Sequence, residues 1–339
     1  MSSVKRKKKL NSMTDNDDLL TEILVRLPLK SLLRCKSVSK RWRSLISKYD
    51  FVPLSDKPTS PPFKTLTFVN HPSGLTILQS CHGLLFCSSF RDRDFRHDYY
   101  IYNPTTKQFL TLPRPGGQNS TFVQGITLAY DPDKSPHYKV VCVRKPKSFI
   151  ANDNESFRRG VFWNGAIYWR GHSFYFNVNE EKLRKMPIPD VWKDGSRFGY
   201  FDASREHLHL AVISPCRTKF DVYEMKRDYS GWFLKYHVDL EAIAISFPDM
   251  ITICVDPPDL HYYKFVILGI IREADDGESY MVLHIPGKAI RYNLHDKTFI
   301  KIFDFSPGRE DVENICNPGY LRFNWYDDAY QYIETLACI

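Results

Sequence analysis

Four times between residues 101 and 305 the chain repeats one compound pattern: an alternating apolar run, a polar turn, then a second run led by aromatic residues or Leu. The copies are IYNPTTKQFLTLP (101–113), FYFNVNEEKLRKMPIP (174–189), FDVYEMKRDYSGWFLKYHVDL (220–240) and IRYNLHDKTFIKIFDF (290–305). Period-two alternation on both sides of a polar turn is the pattern of a β-hairpin. Each hairpin follows a strand-like run marked by Gly or His: GLLFCSS (83–89), VFWNGAIYWRG (161–171), HLHLAVIS (207–214) and YMVLHIPG (280–287). Four-stranded units recurring on this scale are the building blocks of a β-propeller. The first and third intervals between hairpins are long enough to hide one more unit each. YDPDKSPHYKVVCV (130–143) and DPPDLHYYKFVILGI (256–270) lie in them and share Asp-Pro, Tyr-Lys and a β-branched run. A mainly β fold follows, with five to seven blades possible and about six fitting best; a β-sandwich of similar strand content is the alternative.

The 20 Tyr, 23 Phe and 6 Trp among 339 residues fit this strand-rich reading. The formal charge of +8 is unevenly placed: residues 1–50 hold 13 Lys/Arg against 5 Asp/Glu, which leaves 34 of each sign in the rest. Bulk charge therefore offers nucleic acid no footprint on the large β part, and any basic footprint belongs to the N-terminal fifty residues. Cysteines 35, 81, 87, 142, 216, 254, 316 and 338 form no CxxC pair, so free thiols in a reducing compartment are expected, with neither a zinc site nor a disulfide framework. The start MSSVKRKKKLN lacks the apolar core of a signal peptide. The apolar run FVILGII (265–271) falls far short of the roughly 18 residues a membrane span needs. An intracellular protein of nucleus, cytoplasm or both is expected, with no membrane partner and with the Asn119 and Asn154 sequons incidental. Lys5, Arg6, Lys7, Lys8 and Lys9 read as a nuclear-import signal or as a merely solubilising tail.

Ahead of the β part, Leu19, Leu20, Ile23, Leu24 and Leu27 recur on one face of a helix. Thr14 to Asn16 offer capping side chains and Asp17, Asp18 and Glu22 put negative charge near the helix start. Pro28 has no amide hydrogen and biases Leu27 away from helical geometry, so the helix should stop there. A second short helix would carry Leu29, Leu32 and Leu33, and a third Val38, Trp42, Leu45 and Ile46. Three helices in about 30 residues cannot enclose so much apolar surface, because elements below about 40 residues usually need a staple or a partner. Each Leu or Ile left wet forgoes about 1.5 to 3 kcal/mol of burial. A partner protein is the economical recipient, docking on the chain's own β part being the alternative.

DDLLTEILVRLPLKSLLRCKSVSKRWRSLIS (17–47) resembles an F-box of the plant type, with Pro28, Lys30-Ser31-Leu32 and Trp42 in register and the match covering residue 17 to about residue 51. The resemblance implies docking on a small Skp-type adaptor and through it a cullin-RING ubiquitin ligase. It also implies that Leu19, Leu20, Ile23, Leu24, Leu27, Pro28, Leu32, Leu33, Val38 and Trp42 are divided between that interface and the element's own small core. Asp15-Asn16 stand where members of the family carry Leu-Pro. Downstream, CHGLLFC (81–87), YNPTTKQ (102–108), YDPDKSPHYKVV (130–141), GVFWNGAIYW (160–169) and YQYIETLA (330–337) resemble the plant F-box-associated domain, which implies a kelch-like propeller that recruits a target protein. Relatives carry a further strand pair after the position of Val143; RKPKSFIANDNESFRR (144–159) stands there instead, so one blade is expected to be incomplete. The domain organisation that follows is a disordered basic tail over 1–14, an F-box over 15–51, a Pro-rich linker over 52–62 and a propeller-like domain over 63–339.

Catalytic constellations are missing from the sequence. It has no GxSxG elbow, no sialidase box, no HExxH and no phosphate-cradling Gly-rich loop, so a non-catalytic receptor without cofactor or metal is expected. His207 and His209 share a strand face, yet no carboxylate or thiol at a suitable spacing joins them. Asp275-Asp276 have the composition of a solvated hairpin tip. A helix-turn-helix DNA reader with a propeller interaction domain is the alternative function, disfavoured by the apolar excess of the first helix.

Overall fold

The computed structural model describes residues 66–70, 74–89, 97–115, 121–146, 157, 159–170, 172–187, 189, 197–214, 216–253, 261–305, 329–333, 335, 337 and 339. The expected tail, F-box and linker (1–62) lie outside the described residues, as does most of the segment 144–159. What is described is mainly β. The first four-stranded sheet runs in chain order through β1 (Leu75–Cys81), β2 (Leu84–Ser89), β3 (Tyr99–Asn103) and β4 (Gln108–Leu112). Two strands follow as a pair, β5 (Thr121–Ala129) and β6 (Lys139–Pro146). The second four-stranded sheet holds β7 (Gly160–Trp163), β8 (Ala166–Trp169), β9 (Phe174–Asn177) and β10 (Lys182–Lys185). The third holds β11 (Arg197–Ser204), β12 (His207–Ile213), β13 (Lys219–Met225) and β14 (Trp232–Asp239). A short helix α1 (Glu241–Ser246) and the pair β15 (Ile251–Ile253) and β16 (His261–Tyr263) precede the fourth sheet, β17 (Val266–Ile271), β18 (Tyr280–Ile285), β19 (Lys288–Asn293) and β20 (Phe299–Asp304).

All four repeated hairpins are present, as β3–β4, β9–β10, β13–β14 and β19–β20. Three of them close on the same device. Asn103 Oδ1 accepts the backbone N–H groups of Thr105 and Thr106 at 2.9 and 3.3 Å. Asn177 Oδ1 accepts those of Asn179 and Glu180, both at 3.0 Å, and Asn293 Oδ1 those of His295 and Asp296 at 2.7 and 3.0 Å. An Asn that binds the backbone two and three residues on turns the chain without help from elsewhere. The residue four positions after each Asn, namely Lys107, Glu181 and Lys297, takes positive φ to finish the turn. A second regularity lies at the start of three sheets, where the first strand bulges: between Ile77 and Gln79, between Phe198 and Tyr200, and between Ile267 and Gly269. Such bulges raise local twist.

Two sequence expectations need correction. VFWNGAIYW is a hairpin of two strands, β7 and β8, because Asn164 (φ 49°) and Gly165 (φ 82°) form a two-residue turn with both dihedrals positive. The two Asp-Pro segments also play different parts. In the first, Tyr-Lys leads straight into β6; in the second, β16 ends at Tyr263, Lys264 donates its backbone N–H to Met250 O at 2.8 Å, and Val266 begins the fourth sheet. The segment 256–270 therefore ends one sheet and opens the next.

The described chain falls into two compact units. One holds β1–β4, residues 130–139 and the chain end from Tyr332; its core sets Leu85, Cys87, Tyr100 and Tyr102 against Leu66, Phe68 and Tyr332, with Phe68 stacked on Tyr102 at 4.1 Å. Asn103 Nδ2 donates to the carbonyls of Thr335 and Ala337 at 3.1 and 2.9 Å, which fastens the end of the chain to β3. Gly83, at φ +80°, lies so close to this end that a Cβ would stand 2.3 Å from Ile333 O. The other unit holds the remaining sheets. Its larger core runs through Trp163, Tyr168, Phe201, Leu210, Val222, Ile267, Leu283 and Ile290, and a second cluster packs Ala129, Ile167, Trp169 and Val178. Helix α1 buries Ile243 and Ala244, starts where Asp239 Oδ1 accepts the N–H of Glu241 at 3.0 Å, and stops before Pro248.

Candidate interaction surface and buried polar cluster

The last strand of every four-stranded sheet has no further partner in its sheet and shows apolar side chains to solvent. Phe109 and Leu110 are exposed on β4, Leu183 on β10, Phe233 and Leu234 on β14, and Ile300, Ile302 and Phe303 on β20. Unpaired edges are the strands on which another chain can add itself. They are not equally open. β10 reads KLRK, and three cations guard its single Leu; β20 reads FIKIFD, and its one exposed Lys301 is paired with Asp304 at 2.7 Å.

The His207/His209 pair does have a carboxylate. Strand register sets His209 opposite Glu224 on β13. His207 Nδ1 stands 2.7 Å from Glu224 Oε1, and His209 Nε2 3.5 Å from Oε2. Arg272, just beyond β17, brings Nε to 3.9 Å from the same Oε2, while its Nη1 donates to the Tyr236 hydroxyl and to Asp276 Oδ1. Tyr236 donates to Asp276 Oδ1 at 2.5 Å and Lys235 to Oδ2 at 2.7 Å. Asp275 and Asp276 are exposed in the β17–β18 connection, as a solvated tip should be, and Asp276 is also a node of this cluster; Asp275 caps the turn by accepting Gly277 N–H at 2.9 Å. Burial pushes the Glu224 carboxyl up, but its contacts with the two histidines outweigh that and hold it well below the usual carboxylate range. Burial lowers His209 from its ordinary 6.5 in spite of the Glu224 carboxylate.

The cluster joins two sheets and carries no open coordination position: no group of three His, Cys, Asp or Glu among the described residues is placed to hold a metal ion. Cys81, Cys87, Cys142 and Cys216 form no disulfide, and burial pushes the Cys87 thiol up to about 12, which keeps it protonated and unreactive. Among the described residues no helix is long and apolar enough to cross a membrane. The adaptor-binding candidates from Leu19 to Trp42 and the import candidates Lys5 to Lys9 lie outside the described residues. Sequence reasoning missed Glu224 and Arg272 and saw in Asp276 only a tip residue; the pairing of β12 with β13 is what unites Glu224 with the histidines.

Comparison with known proteins supplies the rest. Residues 16–53 match the family model of the F-box domain, and residues 46–171 that of the F-box associated beta propeller domain. The chain is 34% identical to F-box protein At5g07610 of Arabidopsis thaliana, over 96% of this chain and 92% of that protein. It is 30% identical to the putative F-box protein At4g09190 of the same plant, over 92% of this chain and 82% of that protein, and 22% identical to the putative F-box protein At3g16210, over 95% and 97%. With an N-terminal match to the F-box, repeated four-stranded sheets behind it and a full-length likeness to such relatives, the chain belongs to the F-box protein family and carries an F-box associated β-propeller domain.

Proposed function

We propose that this protein is the target-recognition subunit of a Skp-cullin-F-box ubiquitin ligase. The observation that carries the reading is the F-box match over residues 16–53, which falls on the segment whose Leu19, Leu20, Ile23, Leu24, Leu27, Leu32 and Leu33 exceed what so short an element can bury. An F-box spanning 15–51 docks on the Skp-type adaptor, with Pro28, Val38 and Trp42 shaping the same element, and the linker 52–62 leads into a target-binding propeller of about six blades. The four complete sheets and two strand pairs support that count. The protein itself performs no chemistry; it brings a target to the ligase. Lys5 to Lys9 direct a share of it to the nucleus.

Replacing Leu20, Ile23 and Pro28 by Ala tests the docking. Co-purification with the adaptor should be abolished while the melting of the β sheets stays where it was. Undiminished co-purification contradicts the reading. Deleting residues 1–10 from a fluorescent fusion should shift the protein toward the cytoplasm, and an unchanged distribution would leave KRKKK a solubilising tail.

A further inference from the structure

The outer strands of the four complete sheets differ in how they are guarded against a further strand. Natural edges are blunted by charged side chains, by bulges and by Pro. β10 reads KLRK and carries three cations among four residues. β14 holds Lys235, His237 and Asp239, and its pairing with β13 slips in register between Val222 and Tyr223. β20 holds Lys301 and Asp304 and slips against β19 between Ala289 and Ile290. β4 has none of these devices. It reads QFLTL, pairs with β3 without a slip, and shows Gln108, Phe109, Leu110 and Thr111 to solvent, with Phe109 44% and Leu110 43% exposed.

The two faces of β4 offer different surroundings. Phe109 stands opposite Tyr102, whose ring stacks on Phe68, and Phe68 also meets Phe109 with centroids 5.4 Å apart. These three rings form a shelf beside the edge. On the other face Leu110 continues the row of Phe86 and Ile101, both fully buried. A chain laid along β4 therefore sets alternate side chains beside the aromatic shelf and beside the apolar row. Charge enters at one end only. Arg114, beyond the last residue, is paired with Asp98 at 2.8 Å, whereas Lys107, just before the first, is exposed and has no carboxylate within ion-pair reach among the described residues.

The length of the edge narrows the occupant. Five residues make a front about 17 Å long, and a strip of that length falls far short of the roughly 1,200 Å² that a stable interface buries. A second copy held by this strand alone would not stay paired. A target needs only a short-lived hold. On the reading of the protein as a target-recognition subunit, we propose that β4 captures its target by strand addition: an extended segment of alternating apolar side chains pairs with Gln108–Leu112 and sets a carboxylate at its end beside Lys107. Backbone hydrogen bonds along β4 supply the hold. Phe68, Tyr102, Phe109 and Leu110 select the side chains, and Lys107 decides which end of the segment lies at the start of the strand.

Selection from a displayed library of random peptides on the full chain is the test, with Leu110→Lys and Lys107→Glu as comparison proteins; both positions are exposed, so folding should be unaffected. Peptides enriched on the wild type should alternate apolar residues and carry Asp or Glu at one end. A synthetic copy of the most enriched peptide should lose about tenfold in affinity on Leu110→Lys, and Lys107→Glu should prefer the same peptide with Lys in place of the acid. Enriched peptides without alternation, no enrichment over the Leu110→Lys protein, or an affinity that Leu110→Lys leaves unchanged overturns the proposal. A wild-type dimer that Leu110→Lys converts to monomer also overturns it, because a second copy is then the occupant. Adaptor co-purification tests the ligase reading separately: it should be equal for the wild type and Leu110→Lys, and its loss from both would end that reading while the peptide result stands.

Discussion

Three of the repeated hairpins close on an Asn, and the fourth closes on Asp228, which accepts Ser230 N–H at 2.9 Å, and also holds the neighbouring sheet. In β3–β4, β9–β10 and β19–β20 an Asn at the end of the third strand accepts two backbone N–H groups of its own turn. β13 ends on Met225 instead, and its turn is longer, running through Tyr229 at φ 62° and Gly231. That turn is braced from outside. The Tyr229 hydroxyl donates to Asn164 O at 2.5 Å, and Asn164 Nδ2 donates to Arg227 O at 2.9 Å. The Tyr229 ring stacks on Tyr175 with centroids 5.3 Å apart and meets Trp163 edge-on at 5.8 Å. Trp232 Nε1 adds a bond to Pro187 O at 2.8 Å. The longer turn lets the third sheet clasp the second, so a departure from the repeat is a place where adjacent sheets are joined.

This contrast fixes an order of effects. Tyr229→Ala should be the most damaging change, because it removes two aromatic contacts and a hydrogen bond between sheets; a loss of about 2–4 kcal/mol in chemical denaturation is expected. Tyr229→Phe keeps the rings and should cost about 1 kcal/mol. Asn177→Ala removes two bonds inside one exposed turn and should also cost about 1 kcal/mol, without spreading to another sheet. A larger loss from Asn177→Ala than from Tyr229→Ala would break the comparison.

The cluster on the other side of the third sheet should answer to acid. His209 is lowered from 6.5, so the unfolded chain takes up a proton near that pH that the folded protein resists. Stability is full above it and falls as the pH drops below it. Glu224, held below its ordinary 4.5, adds a loss of the same sign in a lower window, as the pH falls from there toward its folded value. Urea midpoints should therefore decline from pH 7 to pH 4, and Glu224→Gln should flatten the lower part of the decline. A midpoint that rises on acidification contradicts the assignment. At the small end, the exposed Arg227–Glu206 pair links two turns of the same sheet, and Arg227→Ala should leave the melting temperature unchanged within error, since such surface pairs contribute little.

The hairpins were legible because alternation and a turn-forming Asn coincide in sequence, as in Tyr102-Asn103 and Tyr292-Asn293. The β7–β8 hairpin was not, although Asn164-Gly165 is a strong turn signal, because aromatic residues run on both sides of it and read as one strand. His207 and His209 stood out, but Glu224 lies 17 residues from His207 and only strand pairing brings it there. Arg272 and Asp276 come from another sheet altogether, and no local pattern records such a meeting. The bulges of β11 and β17 did leave a mark, an isolated Gly within each strand, Gly199 and Gly269, whereas that of β1 has none. The F-box was the easiest element to read, since Pro28, Lys30-Ser31-Leu32 and Trp42 stand together in the family's register within one short segment.

The apolar excess of that element is also where the account is most exposed. Titrating a purified Skp-type adaptor into the full chain, and into the chain lacking residues 1–62, separates the two halves of the claim. Saturable binding by the full chain and none by the shortened one is the predicted result. Equal binding by both would show that the adaptor docks on the β sheets, and the assignment of residues 15–51 as the docking element would fall.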